Sequence, residues 1–556
     1  MPLGLPFRWR MLLNLNRPLA VLLLAAAVAA GARTVHAQTT DGGTPTFPVL
    51  RSVEEELRTA QPTSVPPSQG PFGEQPYVPV RPQHSQPPPD APSAWLIQPG
   101  IQVGETVTDN ASLSHSNRTA DLITMINPQL IVTGDTERTK LDINYSPILQ
   151  RNLVETGNNR LDQNLFGTGV FAAIPDALFI NGRGSAFEGS RGGGMGPINP
   201  SNFRFNDRTE ILAYDGGPEW RFPLPIHDGA TGDLNYTIGQ TRYYSNTGPL
   251  SPGQVANPIT NSTLQDLRLV LNSGDRSGFL TSQLTTDGSR TRIDGGNGTN
   301  TSGIITLESQ LRLNPVFQLL GSVGYEDYRY STASFANIND PTWYGGGKWA
   351  ISDDTSVQLT YGHHQGFDSF AGNAHYAITP LTTLSADYQE TITTPQQQII
   401  SSLNQLQLNQ AQVVINPQTG VPESIVANEL ALQNSIYRDK LFRAGLVTRN
   451  EPNVYTVSLR YEAFDPIQGT NPDSFIGADG TWQHAINLTD SFSLLAGYYR
   501  RQQLGQSTIE IQASLGRQIT DTLNASIGYE FTYGTATDSS QSYFRNAITA
   551  FLRKTF

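Results

Sequence analysis

Nine charged side chains stand at strand-like spacing: Asp142, Arg268, Glu326, Asp387, Arg443, Arg460, Glu462, Glu510 and Glu530. Arg460 and Glu462 are two residues apart, Glu510 is followed by Gln512 and Ser514, and Glu530 continues the run Asn524, Ser526, Gly528. A two-residue period puts such groups on one face of an extended strand. Charges of both signs mixed with amides and hydroxyls make a wall that exchanges hydrogen bonds with a polar solute at little net cost. Arg460 and Glu462 share a strand and a face, so a structural ion pair is the plain alternative for them. Catalysis has weaker support. His363-His364, His375 and His484 show no spacing to Ser and a carboxylate that marks a triad. Neighbouring histidines in a loop are more often solvated or hydrogen-bonded than catalytic, and a zinc site from His363, His364 and His375 is disfavoured with them. The chain has no cysteine, which removes disulfides, thiolate metal sites, thiol nucleophiles and an acylated cysteine. The expectation is a non-enzyme without catalytic, cofactor-binding or metal-binding residues.

The elements that must carry those charges repeat one unit from residue 97 to residue 556. Leu523, Ala525, Ile527, Tyr529, Phe531 and Tyr533 alternate with Asn524, Ser526, Gly528, Glu530 and Thr532. Tyr455, Val457, Leu459 and Tyr461 alternate with Thr456, Ser458, Arg460 and Glu462. The runs match the roughly 9–11 residues a tilted strand needs to cross a bilayer. Short connections carry turn residues, as in Ile174-Pro175-Asp176, Asn314-Pro315, Thr379-Pro380 and Thr520-Asp521. Long ones lie between them, at 188–207, 245–262, 287–302 and 392–437. Short turns at one end and long loops at the other are the plan of a transmembrane barrel. Ten short turns are expected near 135–138, 175–176, 223–230, 273–277, 314–315, 352–354, 379–380, 449–452, 489–490 and 520–521. They imply an all-β, single-chain antiparallel transmembrane β-barrel of about 22 strands, within a range of 16–24. Asn127-Pro128 is a competing turn site. The apolar face would meet outer-membrane lipid and the polar face, with the nine charged residues, would line the pore.

The averages agree. Of 556 residues 37% are hydrophobic, and the mean hydropathy is −0.33, which excludes a polytopic helical membrane protein. A net charge of −12 argues against nucleic acid as a partner. Arg8, Arg10 and Arg17, the uncharged run 19–32 and Val35-His36-Ala37 form a secretory signal over 1–37, with cleavage near Ala37-Gln38. Residues 38–96 are dense with proline, including Pro66-Pro67 and Pro87-Pro88-Pro89, and read as a disordered periplasmic linker. Localisation to the outer membrane of a Gram-negative cell follows.

Pro99-Gly100-Ile101 through Thr108-Asp109-Asn110, Asn127-Pro128-Gln129-Leu130, Leu141-Asp142-Ile143-Asn144-Tyr145 and Ile174-Pro175-Asp176-Ala177-Leu178-Phe179-Ile180 follow in order. In these the sequence resembles the outer-membrane β-barrel porin type 2 family over residues 97–556. The resemblance implies a barrel associated with an exopolysaccharide system, with no catalytic residues and a periplasmic polysaccharide export protein as partner. The last strand, ending in Phe556, resembles the signature read by the barrel assembly machinery, although Lys554 departs from it. The leading expectation is a passive conduit for exopolysaccharide export. The alternative is a general or solute-selective diffusion porin. An outer-membrane enzyme or adhesin ranks lower, as does a motor-driven nutrient receptor, because the linker cannot build a compact plug. The insertion 392–437, with short amphipathic helices expected on either side of Asn416-Pro417 and Gly420, is the candidate to constrict or cap the pore.

Overall fold

The computed structural model describes residues 95–556 except 191–207, 226–228, 246–259, 275–278, 295–297, 332–336, 353–354, 406, 409–413, 416–435, 468–471, 504 and 536–541. The expected signal peptide and all but the end of the expected linker lie outside the described residues. Trp95 and Leu96, assigned to the linker above, pair with Gly134 and Thr133, so the barrel begins two positions before residue 97.

One antiparallel sheet of 24 segments forms 22 wall strands, because two strands are each broken in the middle. They run β1 (Trp95–Thr108), β2 (Asp121–Asp135), β3 (Thr139–Tyr145 and Ile148–Asn152), β4 (Arg160–Asp162 and Leu165–Ile174), β5 (Leu178–Ser190) and β6 (Arg208–Pro223). Next come β7 (Thr231–Ser245), β8 (Ser262–Asn272), β9 (Leu280–Ile293), β10 (Thr299–Arg312), β11 (Phe317–Tyr330) and β12 (Ile338–Ser352). Then follow β13 (Thr355–His364), β14 (Phe367–Thr379), β15 (Thr382–Thr393), β16 (Tyr437–Asn450) and β17 (Asn453–Pro466). The last are β18 (Asp473–Ala485), β19 (Asp490–Arg501), β20 (Gln506–Thr520), β21 (Leu523–Thr535) and β22 (Tyr543–Thr555). Each strand pairs with its neighbours in sequence, and β22 closes on β1, from Gly100 opposite Thr555 to Thr108 opposite Ala547. The Phe556 N–H donates to the Pro99 carbonyl at 2.9 Å and ends the seam. Closure leaves no edge strand unpaired, which a bilayer demands.

Short connections join strands at all ten expected places, each after an even-numbered strand, although 226–228, 275–278 and 353–354 within three of them lie outside the described residues. One expected long loop is not. Residues 287–302 complete β9 and begin β10, with 294–298 between them. That run is polar because the strands continue past the apolar band, where an outward residue need not be apolar.

Asn127-Pro128 is not a turn either; it lies inside β2, with Pro128 opposite Ile101. Pro128 lacks a donor. On β2 the residues that face β3 are those in phase with Leu122, whose carbonyl accepts from Leu153 at 3.0 Å, and Pro128 is in that phase. Opposite it β3 is interrupted: Leu130 pairs with Tyr145 and Ile126 with Leu149, but Ser146-Pro147 between them make no ladder. Asn127 Nδ2 bridges the gap to the Ser146 carbonyl at 3.3 Å. Since no ladder bond is lost there, Pro128→Ala should change barrel stability by less than about 0.5 kcal/mol. A larger shift in the temperature at which the barrel band collapses on unheated electrophoresis gels would refute this account of the break.

The outer surface is apolar. Val323 is 62% exposed and Ile527 53%, with Leu359 and Leu552 alike. Trp343, Tyr361 and Phe370 form an aromatic cluster near the long-loop ends of β12–β14. Tyr455, Trp482 and Phe492 form another near the short-turn ends of β17–β19. Buried apolar residues such as Phe166, Ile211, Leu320 and Ala371 lie on the other face, inside the barrel.

Candidate functional site: the barrel lumen

Register places the nine charged residues on the face opposite the apolar belt. Asp142 stands opposite Thr133, in phase with Gln129 and away from the exposed Leu130. Arg268 and Glu326 are each next to an exposed outward residue, Leu267 and Tyr325, and are themselves fully buried. The structure gathers the nine into separate groups. Asp387 lies opposite Arg443, whose Nε donates to both carboxylate oxygens at 3.1 Å. Arg443 lies opposite Arg460, and an Arg460 NH2 donates to Glu462 at 2.6 Å. Glu530 pairs with Arg545 at 3.1 Å, and Glu510 accepts from Gln512 beside it. Arg268 has Asp233, Asp266, Asp287 and Glu308 around it. Glu326 accepts from the backbone N–H of Gln365, and His364 Nδ1 lies 2.7 Å from its other carboxylate oxygen. Asp142 joins none of the other eight. His364 is thus buried beside Glu326, while His363 faces outward against Asp368.

The lumen is crossed by a helix from the insertion. Helix α1 (Pro395–Gln405) follows β15 directly. Thr394 caps it: its hydroxyl accepts from the Gln397 N–H at 3.3 Å and donates to the Gln397 side chain at 3.1 Å. Pro395 then occupies the first helical position, where its missing donor is harmless. Ile399, Ile400 and Leu403 form one stripe at helical spacing. They are buried against Phe166 of β4, Phe187 of β5 and Ile211 and Ala213 of β6, with Tyr243 and Leu264 beside them. Each such side chain contributes roughly 1.5–3 kcal/mol when fully buried. Gln398 reaches the opposite wall. Its Nε2 donates to Asp439 at 2.9 Å and Glu462 at 3.2 Å, and the Tyr437 hydroxyl donates to its Oε1 at 2.5 Å. β4–β8 and β15–β17 lie across the ring from each other. α1, eleven residues and about 16 Å long, therefore touches both groups of strands at the long-loop end of the lumen.

The base of the insertion is also clamped. Gln365 and Gly366, at φ 53° and 76°, make the tight turn between β13 and β14. The Gln365 side chain turns inward, donates to the Ile392 carbonyl at 3.2 Å and accepts from the Thr391 hydroxyl at 3.2 Å and from the Ile392 N–H. Beyond α1, Gln407–Leu408 pairs with Val414–Ile415. One helix is therefore seen in the described part of the insertion, before Asn416-Pro417 rather than on both sides; residues 416–435 lie outside the described residues.

The other side of the lumen keeps space. A cavity of about 730 Å³ runs between β1–β4 and β18–β22. Gln102, Gln150, Gln483, Gln512, Ser514 and Thr549 line it with amides and hydroxyls. Its charged groups are matched internally, Arg160 with Asp162 at 2.5 Å and Arg545 with Glu530 at 3.1 Å. Leu113, in the β1–β2 connection, covers part of it and is 3% exposed.

A closed antiparallel wall, an apolar band with aromatics at both margins and charges turned inward decide the class. The chain is an outer-membrane β-barrel. Its short turns therefore face the periplasm and its long loops the outside, so α1 sits in the extracellular mouth. No family model matches the sequence, and no curated protein matches it. Among solved structures the barrel is similar to the FrpB iron transporter from Neisseria meningitidis (F5-1 variant), with 9% identity and a TM-score of 0.48, over 83% of this chain and 82% of that one. It is similar to the siderophore receptor PirA from Acinetobacter baumannii, with 8% identity and a TM-score of 0.45, over 83% and 80%. It is also similar to the ferric-catecholate import receptor Fiu from E. coli K12 in its open form, with 10% identity and a TM-score of 0.45, over 85% and 82%.

Sequence reasoning included Gln396-Gln397-Gln398 in the insertion but missed Tyr437, Asp439 and Gln365. Thr394-Pro395 with Gln397 two residues on marks the start of the helix that carries Gln398. Nothing local marks Asp439 or Gln365, whose partners come from distant strands.

Proposed function

We propose that this barrel is an outer-membrane conduit held shut at its extracellular mouth by α1, and that the polar cavity beside α1 belongs to the path. The observation that carries this reading is α1 itself: one face is bonded to β16 and β17, the other packed on β4–β6, in a barrel too wide to be filled by its own wall side chains. The cavity lining supports a neutral, hydrogen-bonding cargo, because its charges are already paired and its remaining polar groups are amides and hydroxyls. An exported exopolysaccharide fits this chemistry and the resemblance to the porin type 2 family. Asp142, Arg268, Glu326, Asp387, Arg443, Arg460, Glu462, Glu510 and Glu530 then serve mainly to stiffen the wall and seat α1. Export would engage a periplasmic polysaccharide export protein, and the strand ending in Phe556 would engage the assembly machinery.

Deletion of the gene tests the cargo. Secreted polysaccharide should fall and polymer should accumulate in the periplasm, with small-solute permeability unchanged. Normal secretion with altered solute uptake would replace this reading by a diffusion porin. The path has its own test. The chain lacks cysteine, so Ser514→Cys in the cavity should react with an impermeant maleimide in reconstituted barrels. Thr285→Cys, on the inner face of β9 and 7% exposed, should react at least about tenfold more slowly if the path is confined to the cavity side. Equal rates would place the path elsewhere.

A further inference from the structure

The outward face carries one feature that transport does not use. On β7–β11 the apolar belt is made by Tyr236, Ile238, Leu267, Ile305 and Tyr325, all well exposed. Just above it, toward the extracellular ends, the same outward rows turn basic. Arg290 stands opposite both Gln265 and Thr301, and Thr301 stands opposite Arg329. Arg292 stands opposite Thr263, which in turn faces Gln240, and Arg242 is the next outward residue along β7. Four guanidinium groups thus share one rim on the alternate strands β7, β9 and β11. With strands about 4.8 Å apart, Arg290 and Arg329 lie about 10 Å from each other along the wall.

The cations of this sector are in excess. Arg329 is bound to Asp327 at 2.6 Å. Arg242 donates to the neutral Gln240 side chain at 3.1 Å, and Tyr214 donates to the same oxygen at 2.5 Å. Among the described residues no carboxylate pairs with Arg242, Arg290 or Arg292. The nearby acids are Glu210 on β6 and Asp294 just past β9. Near the long-loop ends of β15–β17, by contrast, Arg438 is matched by Glu390 and Lys440 by Asp465. Unmatched guanidinium groups immediately above a hydrocarbon-facing surface sit at headgroup depth. Their fork of donors suits phosphate oxygens better than water alone does, and tyrosines beside them belong to the same interfacial layer.

We propose that Arg242, Arg290 and Arg292 form a binding site for the phosphates of an anionic glycolipid in the outer leaflet. The acyl chains of that lipid would lie along Ile238, Leu267 and Ile305 below. The site is independent of what passes through the lumen. It would give the barrel a fixed lipid on one sector of its rim and none on the sector where charges are already matched.

The test uses the full barrel purified in detergent and titrated with lipid A, with lipid A stripped of its phosphates, and with inorganic phosphate. Bound lipid is counted by native mass spectrometry. The intact protein should retain lipid A, and the triple variant Arg242→Gln, Arg290→Gln, Arg292→Gln should bind it at least about tenfold more weakly. Dephosphorylated lipid A should bind both proteins equally weakly. Arg500→Gln, which removes a lone outward arginine of β19, should bind as the intact protein does. Unheated electrophoresis confirms that each variant is a folded barrel. Equal retention of lipid A by the triple variant would overturn the proposal. Displacement of lipid A by inorganic phosphate at the same concentration would also overturn it, in favour of a free-phosphate site.

Discussion

Replacing residues 394–436 by Asn-Gly should turn an occluded barrel into an open one. Thr393 and Tyr437 are directly opposite each other in the ladder. A two-residue turn with positive φ can therefore join β15 to β16 without disturbing the wall. The deletion removes α1, so the contacts from Gln398 and from Ile399, Ile400 and Leu403 vanish together. The lumen loses its filler at the extracellular mouth, and barrels of this strand number are wide when nothing occupies them. Single-channel conductance in planar bilayers should rise several-fold, and cells carrying the variant should become sensitive to bulky antibiotics. Unchanged current from a correctly folded deletion would sink the gating role. A milder variant separates gating from gross deletion. Leu403 is fully buried against the β4–β6 wall, so Leu403→Ala should weaken docking by about 2–5 kcal/mol. Brief openings should then appear on a barrel of normal stability.

The second large effect is expected from Arg443→Ala. Arg443 is 12% exposed, as is its partner Asp387. It also stands close to Asp439 and Glu462, the two carboxylates that hold Gln398. Without it, Arg460 alone faces three carboxylates inside the wall. Removing one partner of such a buried pair costs about 3–5 kcal/mol, because the other charge is left without compensation. The unfolding midpoint of the barrel should drop accordingly, and the seat of α1 should loosen, raising open probability. Adding Asp387→Asn to Arg443→Ala removes the stranded charge and should restore part of the stability. If the double variant is no more stable than the single one, the pair is not what Arg443 supports. If neither variant differs from the intact protein, the network is decorative.

The wall was legible in the sequence because a membrane strand is a local object. Alternation such as Leu523, Ala525, Ile527 against Asn524, Ser526, Gly528 states which face meets lipid without reference to any other strand. Turn residues such as Ile174-Pro175-Asp176 end the strands at one level, and counting them yields the strand number. The same reasoning put all nine charged residues on one face. It failed at 287–302, where strands outrun the bilayer and lose their apolar signal, and at Pro128, where a missing donor is tolerated only because β3 breaks opposite it.

What fills the lumen was a matter for tertiary structure. Phe166, Phe187 and Ile211 break the polar-inside rule, and nothing near them in sequence says why. Their reason is Ile399, Ile400 and Leu403, well over a hundred residues away. Gln398 is one more polar residue until Tyr437, Asp439 and Glu462 converge on it. Sequence by itself determined a closed barrel, its strand count, its two faces and an insertion long enough to matter. Only the fold decided that the insertion turns inward. Inside and outside are properties of each strand, whereas a contact across the lumen depends on closure of the ring, which brings β6 and β15 face to face.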